Sequence, residues 1–146
     1  MKKTSTATPT RSKLSVFRQL CNLIPTQLVA QLARATGVEQ KARSFSPWSH
    51  VVSLLFAQFT HAVGLNDVSD RLRLHSGPLS AIRGATPPSR NGLSAANRER
   101  PAALAEQLFW QTLEHLKAHS PGFVSGRAGK RLAHRFQGAI HVVDST

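Results

Sequence analysis

A single carboxylate near the end of the sequence is the residue best placed for metal chemistry. Residues 140–143 contain three β-branched side chains and predict a buried strand, which Asp144 follows directly. Such an Asp can hold a divalent metal at the edge of a sheet, but metal-dependent phosphoryl transfer needs several carboxylates together. An isolated Asp after a strand is more often a turn former or a helix cap. The residues alone leave both interpretations of Asp144 open.

Two pairs of histidines are the other candidates for metal binding. His115 and His119 lie four positions apart on a predicted helix, and His50 and His61 share a face of an earlier one. Two imidazoles on one helix face can bind zinc, yet zinc sites use at least three protein ligands and neither pair has a third nearby. We therefore expect a solvated polar face for the first pair and hydrogen bonding at a helix edge for the second.

Arginine side chains between residues 71 and 100 are the strongest candidates for binding. They fall on two short predicted helices and the loop between them: Arg71, Arg73, Arg83, Arg90, Arg98 and Arg100. Two short helices around a Gly/Pro-containing connection can present a surface to DNA, although a helix-turn-helix has a tighter turn. The alternative is a solvated basic surface. Because the chain has few acids to pair with these arginines, the pattern favours DNA contact.

A second basic segment follows the helical region. Gly and Pro punctuate residues 120–129, which is typical of a domain boundary. Arg127, Lys130 and Arg131 lie in or beside this connector and are also predicted to contact DNA.

Apolar residues at helical spacing predict four or five helices before residue 120, so the fold class is mainly α. Pro25 breaks the first apolar run, and Gly37 ends the second helix. The central helix is predicted to begin at Ser46-Pro47, to bury a broad apolar stripe, and to end at Gly64. Residues 77–90 are predicted as a loop, residues 93–97 as a short helix, and residues 101–119 as a long one.

The charge balance narrows the class of partner. The 146 residues include 19 Lys and Arg against 7 Asp and Glu, a formal net charge of +12. This excess favours polyanions because each Lys or Arg set against a phosphate releases condensed counterions. Nucleic acid is the leading partner, and an anionic membrane surface is the second.

Cysteine usage and the termini bound the cellular context. The single cysteine excludes an internal disulfide framework and indicates the cytoplasm. Residues 1–13 are basic and lack the apolar run of a secretory signal, so they are predicted to be a disordered basic arm. No apolar stretch approaches the ~20 residues of a membrane span, which predicts no membrane insertion.

The order and spacing of several short motifs resemble the N-terminal region of a known family, the bacterial insertion-sequence transposases of the insertion sequence four group. The resemblance covers nearly the whole chain after residue 13. Its motifs are Val-Phe-Arg-Gln-Leu at 16–20, Leu-Ile-Pro at 23–25, Phe-Ser-Pro-Trp at 45–48, Leu-Leu-Phe-Ala-Gln-Phe-Thr at 54–60, Leu-Asn-Asp-Val at 65–68, Ser-Arg-Asn-Gly-Leu-Ser-Ala-Ala-Asn at 89–97 and Arg-Pro at 100–101.

The resemblance implies a helical N-terminal domain at 14–120, a basic linker at 121–131 and, at 132–146, the first strand of a truncated ribonuclease-H-like α/β catalytic domain. In that family the first strand ends in a hydrophobic-Asp-Ser-Thr pattern, and its Asp begins an Asp-Asp-Glu triad that binds two Mg²⁺ or Mn²⁺ ions. Asp144 matches this first position, whereas the second Asp and the Glu have no counterpart in the sequence. Since one carboxylate cannot position two cations, we expect no tight metal binding and no catalytic activity from this chain alone.

The predicted function is therefore that of an N-terminal transposase fragment that binds transposon ends. The parent reaction is metal-dependent DNA strand cleavage and transfer, and the parent enzyme is expected to form a homodimer. The alternative is a stand-alone DNA-binding regulator of a transposable element. The DNA after codon 146 distinguishes these two functions. A further Asp and a Glu encoded there would indicate a fragment of the enzyme, and their absence would indicate an independent regulator. Binding to structured RNA is a minor third option because aromatic stacking signatures are lacking.

Overall fold

The computed structural model describes residues 13–38 and 44–120. Within these ranges the chain forms helices and no strands, which confirms the mainly α fold class. The described helices number seven: α1 (Lys13–Asn22), α2 (Leu28–Ala35), α3 (Pro47–Thr60), α4 (Leu65–Leu74), α5 (Ser76–Ser80), α6 (Arg90–Glu99) and α7 (Ala102–His119). The predicted linker at 121–131 and catalytic strand at 132–146 lie outside the described residues, as does the arm before Lys13.

The first two helices follow the sequence pattern closely. α1 ends at Asn22, before Pro25, and buries Phe17 and Cys21. After α2, Gly37 adopts a left-handed φ of 70°, as predicted. The amide of Val38 then donates to the carbonyl of Ala33 at 2.9 Å, and the Gly37 amide to that of Arg34 at 3.1 Å. These two bonds define a Schellman motif, which satisfies carbonyls that the helix leaves free.

The central helix α3 begins as predicted but ends earlier. The Ser46 hydroxyl accepts a hydrogen bond from the Ser49 amide at 3.0 Å, and Pro47 occupies the first helical position. The helix ends at Thr60, so the predicted end at Gly64 is wrong. His61 takes the left-handed conformation that closes the helix, with φ of 51°. His50 and His61 consequently do not share a helix face.

The segment predicted as a loop contains one short helix. α5 occupies Ser76–Ser80, because Pro78 fits within the first turn of a helix, where no intrahelical partner for its missing amide is needed. Turns and extended backbone fill residues 81–89, as expected. α6 is longer than predicted because Ser89 caps it, its hydroxyl accepting from the Gly92 amide at 2.9 Å. A side chain at Gly92 would crowd this cap, since its Cβ would meet the Ser89 Oγ at 2.8 Å.

Two apolar clusters hold the helices together. The first joins α1, α3, α4 and α6 through side chains that include Phe17, Phe56, Leu72 and Leu93. The second joins α2 to α3 and the start of α7, with Leu32, Val51 and Leu104 among its members. Trp48 packs against both clusters. Burial of this apolar surface is the main stabilising contribution to the fold.

The chain divides into two compact units at Leu108 and Phe109, a boundary that falls inside α7. The prediction of a long helix from Pro101 to His119 is confirmed within one residue. Phe109 follows the apolar spacing of this helix, yet it is 59% exposed. No single described helix is long and apolar enough to span a membrane, although α3 and α4, bent by 101° at the break between them, pass that test as a pair by length and composition.

Candidate nucleic-acid interface

Two arginines on neighbouring helices act on the carboxylate of Asp70, one through hydrogen bonds and the other through its charge. Arg90 at the start of α6 donates to Asp70 of α4 through two contacts, Nη2 to Oδ2 at 2.6 Å and Nε to Oδ1 at 3.3 Å. Hydrogen bonding from Arg90 lowers the pKa of Asp70, and the charge of Arg73 lowers it further. Asp70 is therefore ionised at neutral pH, and this α4/α6 cluster of Arg73, Arg90 and Asp70 carries one net positive charge.

Arg71 has a different environment from Arg73. Its Nε donates to Asp67 Oδ1 at 2.6 Å, four residues earlier on α4. Positions 71 and 73 lie about 200° apart around a helix of 3.6 residues per turn, so the two side chains leave different sides of α4. The Arg71–Asp67 pair is locally neutral, which makes Arg71 less available to an anionic partner than Arg73.

Arg98 lies near the end of α6 and is largely exposed. Its guanidinium reaches Glu99 Oε1 only at 3.5 Å, and the two side chains are 74% and 62% exposed. Ion pairs of this kind contribute little to stability because water competes with both partners. Arg98 is thus free to exchange Glu99 for a stronger anion.

Two further arginines are half-buried and make contacts with the backbone and with aromatic rings. Arg100 donates to the carbonyls of Phe45 and Ser46, and its guanidinium lies 5.4 Å from the centre of the Phe45 ring. Arg83 donates to the carbonyl of Cys21 and stacks on Trp48 at 3.7 Å from the ring centre. Burial lowers the pKa of both guanidinium groups. These contacts give Arg100, which the sequence assigned to DNA binding, a structural role.

A buried polar contact links α3 to α6. His50 Nε2 lies 2.7 Å from Asn97 Oδ1, and the His50 ring packs 5.9 Å from that of Phe45. Burial lowers the pKa of His50, and the charge of Arg100 adds to this effect. The expectation that His50 is hydrogen-bonded is confirmed, but the residue is buried, with only 6% of its surface exposed. Its partner Asn97 could not be identified from sequence, because the two residues are 47 positions apart.

The two histidines on α7 lie close to each other. The His115 and His119 rings lie 4.1 Å apart, and the Nδ1 of His119 is 2.9 Å from the carbonyl of His115. Among the described residues, no three His, Cys, Asp or Glu side chains are grouped to hold a metal ion. Asp144, the predicted metal ligand, lies outside the described residues, together with Arg127, Lys130 and Arg131.

A pocket of about 260 Å³ opens between the end of α2 and α6. Phe45 and Arg100 form part of its wall, with small residues of α6 opposite them, Gly92, Ala95 and Ala96. Arg100 donates to the Phe45 and Ser46 carbonyls. Ser44 and Glu99 also line the pocket, so its wall is both polar and apolar.

The charge of the described region is less extreme than that of the chain. Ten of the 19 basic residues and five of the 7 acidic residues lie within residues 13–38 and 44–120. Three of these five acids, Asp67, Asp70 and Glu99, each contact an arginine, and the other two lie on α7. Asp67 and Arg71 could have been paired from their spacing of four, whereas Asp70 and Arg90 could not.

Comparison with known proteins gives one match. No curated protein and no solved structure matches the chain. Residues 12–82, just under half of the sequence, match the family described as "Domain of unknown function (DUF4372)", a domain found in transposase-like proteins. The matched range includes α1 to α5, and hence Asp70 and Arg73, but not α6. Over its first five helices the chain is therefore similar to the DUF4372 family.

Proposed function

We propose that this chain binds DNA as the N-terminal part of a transposase, and that α4 and α6 supply the surface that meets the phosphates. The observation that carries the proposal is the α4/α6 cluster, in which Arg90 takes up the carboxylate of Asp70 and Arg73 adds a second positive charge near it. Arg98 extends the basic surface along α6. The similarity to a domain found in transposase-like proteins and the net charge of +12 support the same reading.

The spacing of these side chains suits a phosphate backbone. Arg90 and Arg98 are eight residues apart on α6, a rise of about 12 Å along the helix axis. Phosphates of one DNA strand follow each other every ~3.4 Å along the duplex axis, so the two arginines can reach phosphates a few nucleotides apart. Contacts of this kind position a protein on DNA without reading its sequence.

Catalysis belongs to the complete enzyme in this proposal. Asp144 would be the first carboxylate of the Asp-Asp-Glu triad, and Mg²⁺ or Mn²⁺ would supply the charge that activates the nucleophile and stabilises the leaving oxygen. The chain itself should neither cut nor join DNA. Incubation of the purified chain with either metal and a labelled DNA that carries the ends of the element tests this directly, and any strand cleavage or transfer would contradict it.

Fluorescence anisotropy with a labelled duplex tests the binding surface. We expect Arg73→Ala and Arg98→Ala each to weaken binding, because each removes one phosphate contact. Arg18→Ala is the matched control, since Arg18 is an exposed arginine on α1 and belongs to neither α4 nor α6. Equal losses for the control and the two surface variants would mean that only total charge matters, and that α4 and α6 are not the interface.

Asp70 provides a test in the opposite direction. Asp70→Asn removes the carboxylate that holds Arg90 and adds one net positive charge to the cluster. If phosphates use this cluster, the variant binds DNA more tightly than the parent chain. The control is Glu114→Gln on α7, which adds the same charge elsewhere. An Asp70→Asn affinity no higher than that of the control would remove the cluster from the interface.

A further inference from the structure

The outward side of α6 carries two polar side chains that the packing of the helix does not use. Asn91 and Ser94 are exposed, and on a helix of 3.6 residues per turn they lie nearly opposite Leu93 and Ala96, which the core buries. Within the described residues, neither the Asn91 side-chain amide nor the Ser94 hydroxyl has a hydrogen-bond partner. We call these two residues the α6 polar pair.

The hydroxyl of Ser94 differs from those of serines inside other helices. Ser53 of α3 and Ser69 of α4 each donate to the carbonyl four residues earlier, at 2.7 Å and 3.0 Å. Such bonds satisfy a hydroxyl that the core takes away from water. Ser94 makes no bond of this kind in the part of the chain that the structure describes, and it faces solvent. Its donor and its acceptor are therefore both available to a ligand.

We infer that the α6 polar pair contacts base edges in the major groove of DNA, and that Asn91 selects adenine. This role rests on the proposed DNA-binding surface of α4 and α6, and it adds sequence recognition to the phosphate contacts of that surface. The side-chain amide of Asn donates and accepts at once, which matches the N6 and N7 atoms of adenine in a bidentate pair. The hydroxyl of Ser94 can bond to a donor or an acceptor on a neighbouring base. Arginines on phosphates cannot supply this selection, because the phosphates are the same in every sequence.

The neighbouring arginines bring the α6 polar pair against the DNA. Arg90 and Arg98 lie near the two ends of α6, and the pair lies between them along the helix. When both arginines bind phosphates, the segment between them is held against the duplex. A helix fits the major groove, which is ~12 Å wide, but not the minor groove of ~6 Å. Ala95, beside the pair, has only a methyl side chain and so leaves room for close approach.

The spacing of the α6 polar pair sets the size of the sequence it recognises. Asn91 and Ser94 are three residues apart, a rise of about 4.5 Å along the helix axis. Successive base pairs are ~3.4 Å apart, and side chains at this spacing on a helix in the major groove contact successive bases. The expected recognition element is therefore an adenine next to one further selected base.

Selection from a library of DNA duplexes with a randomised central segment tests the inference. The full chain should enrich a motif that contains one fixed A·T pair. Asn91→Ala should lower the preference for that pair by about tenfold or more and keep the rest of the motif, because a bidentate contact to a base supplies discrimination of that size. Ser94→Ala should relax an adjacent position. Asn22→Ala is the matched control, since it removes an exposed asparagine at the end of α1 and should select the parent motif.

Replacement of the amide by a guanidinium gives a test in which the preference changes instead of disappearing. Asn91→Arg should change the fixed pair from A·T to G·C, because Arg pairs with the O6 and N7 atoms of guanine. Asn22→Arg adds the same charge on α1 and should keep the A·T pair. Since Asn91 and Asn22 are both exposed, none of these changes removes a core contact.

Several outcomes would overturn the inference. A chain that binds the library but enriches no motif overturns it and leaves the DNA-binding proposal intact, whereas a chain that binds no duplex overturns both. If Asn91→Ala and Asn91→Arg keep the parent motif, other residues select the sequence. Equal discrimination among the same sequences as duplex RNA would also contradict the inference, because the deep, narrow major groove of A-form RNA does not admit a helix.

Discussion

Replacement of Arg100 by Ala should lower the stability of the chain and leave DNA affinity unchanged. Arg100 donates to the Phe45 carbonyl, donates to the Ser46 carbonyl at 3.4 Å, and lies over the Phe45 ring. A hydrogen bond from a charged donor contributes about 1.5–3 kcal/mol, and a partly exposed cation–π contact about 0.5–1 kcal/mol. The Ser46 contact is long and adds little. We therefore expect the free energy of unfolding to fall by roughly 2–4 kcal/mol.

Urea unfolding followed by far-ultraviolet circular dichroism measures this loss, and anisotropy at a temperature where the variant is folded measures DNA affinity. Arg98→Ala is the matched control, because it should change unfolding by less than about 0.5 kcal/mol and still weaken DNA binding. Arg100→Ala should thus lower mainly the stability, and Arg98→Ala should lower mainly the DNA affinity. The reasoning is refuted if Arg100→Ala keeps full stability and loses DNA affinity, since Arg100 would then be a phosphate contact.

Three further predictions concern the core. Burial lowers the pKa of His50 in the folded state, so between its unfolded pKa of about 6.5 and that lower value the unfolded chain binds the proton more readily. Stability should therefore fall as pH drops below about 6.5, by up to ~1.4 kcal/mol per pH unit, until the folded pKa is reached, and His50→Gln should remove this slope in acid-titrated urea unfolding. Leu72→Ala, at a fully buried position, should cost about 2–5 kcal/mol in the same unfolding experiment, and a loss under 1 kcal/mol would show that α4 is not part of the core. Cys21, whose thiol pKa burial raises to about 11, should resist alkylation at pH 8 until urea unfolds the chain, and rapid labelling of the native protein would contradict its burial.

Local chemistry made much of the helical layout predictable. Ser46-Pro47 and Pro101 start helices for reasons that depend on a few adjacent residues, namely an acceptor for free amides and a proline at or before the first turn. Gly37 ends α2 because a residue without a side chain adopts positive φ at little cost. Each of these signals depends on residues within one helical turn of each other, so the sequence is enough to predict where these helices begin and end.

Features that depend on tertiary contacts were not predictable in the same way. α3 ends at His61, a residue without a strong preference for positive φ, instead of at the glycine three positions later. Gly77 and Pro78 lie inside α5 and not in a loop, because Pro is both a helix breaker and a helix starter. Phe109 fits the apolar spacing of α7 and is nevertheless exposed. Spacing shows which side of a helix is apolar, but it does not show whether another element packs against that side.

The candidate site also combines features that the sequence predicts with features that depend on helix packing. The basic stretch was visible in composition, and the spacing of Asp67 and Arg71 could have paired them. The Asp70–Arg90 contact joins residues 20 positions apart, and the contact of Arg100 with Phe45 joins residues 55 apart. Which arginines are free for a ligand therefore depends on helix packing, and only the structure separates Arg73 and Arg98 from Arg83 and Arg100.

The salt dependence of DNA binding distinguishes defined phosphate contacts on α4 and α6 from a general attraction of positive charge. Each phosphate contact contributes about −0.9 to the slope of log K against log salt concentration on duplex DNA. The account predicts that Arg73→Ala with Arg98→Ala makes this slope about 1.8 units less steep than that of the parent chain, and that Arg18→Ala leaves the slope unchanged. A double variant with the parent slope, or a control that changes it as much, would contradict a phosphate-binding surface on α4 and α6.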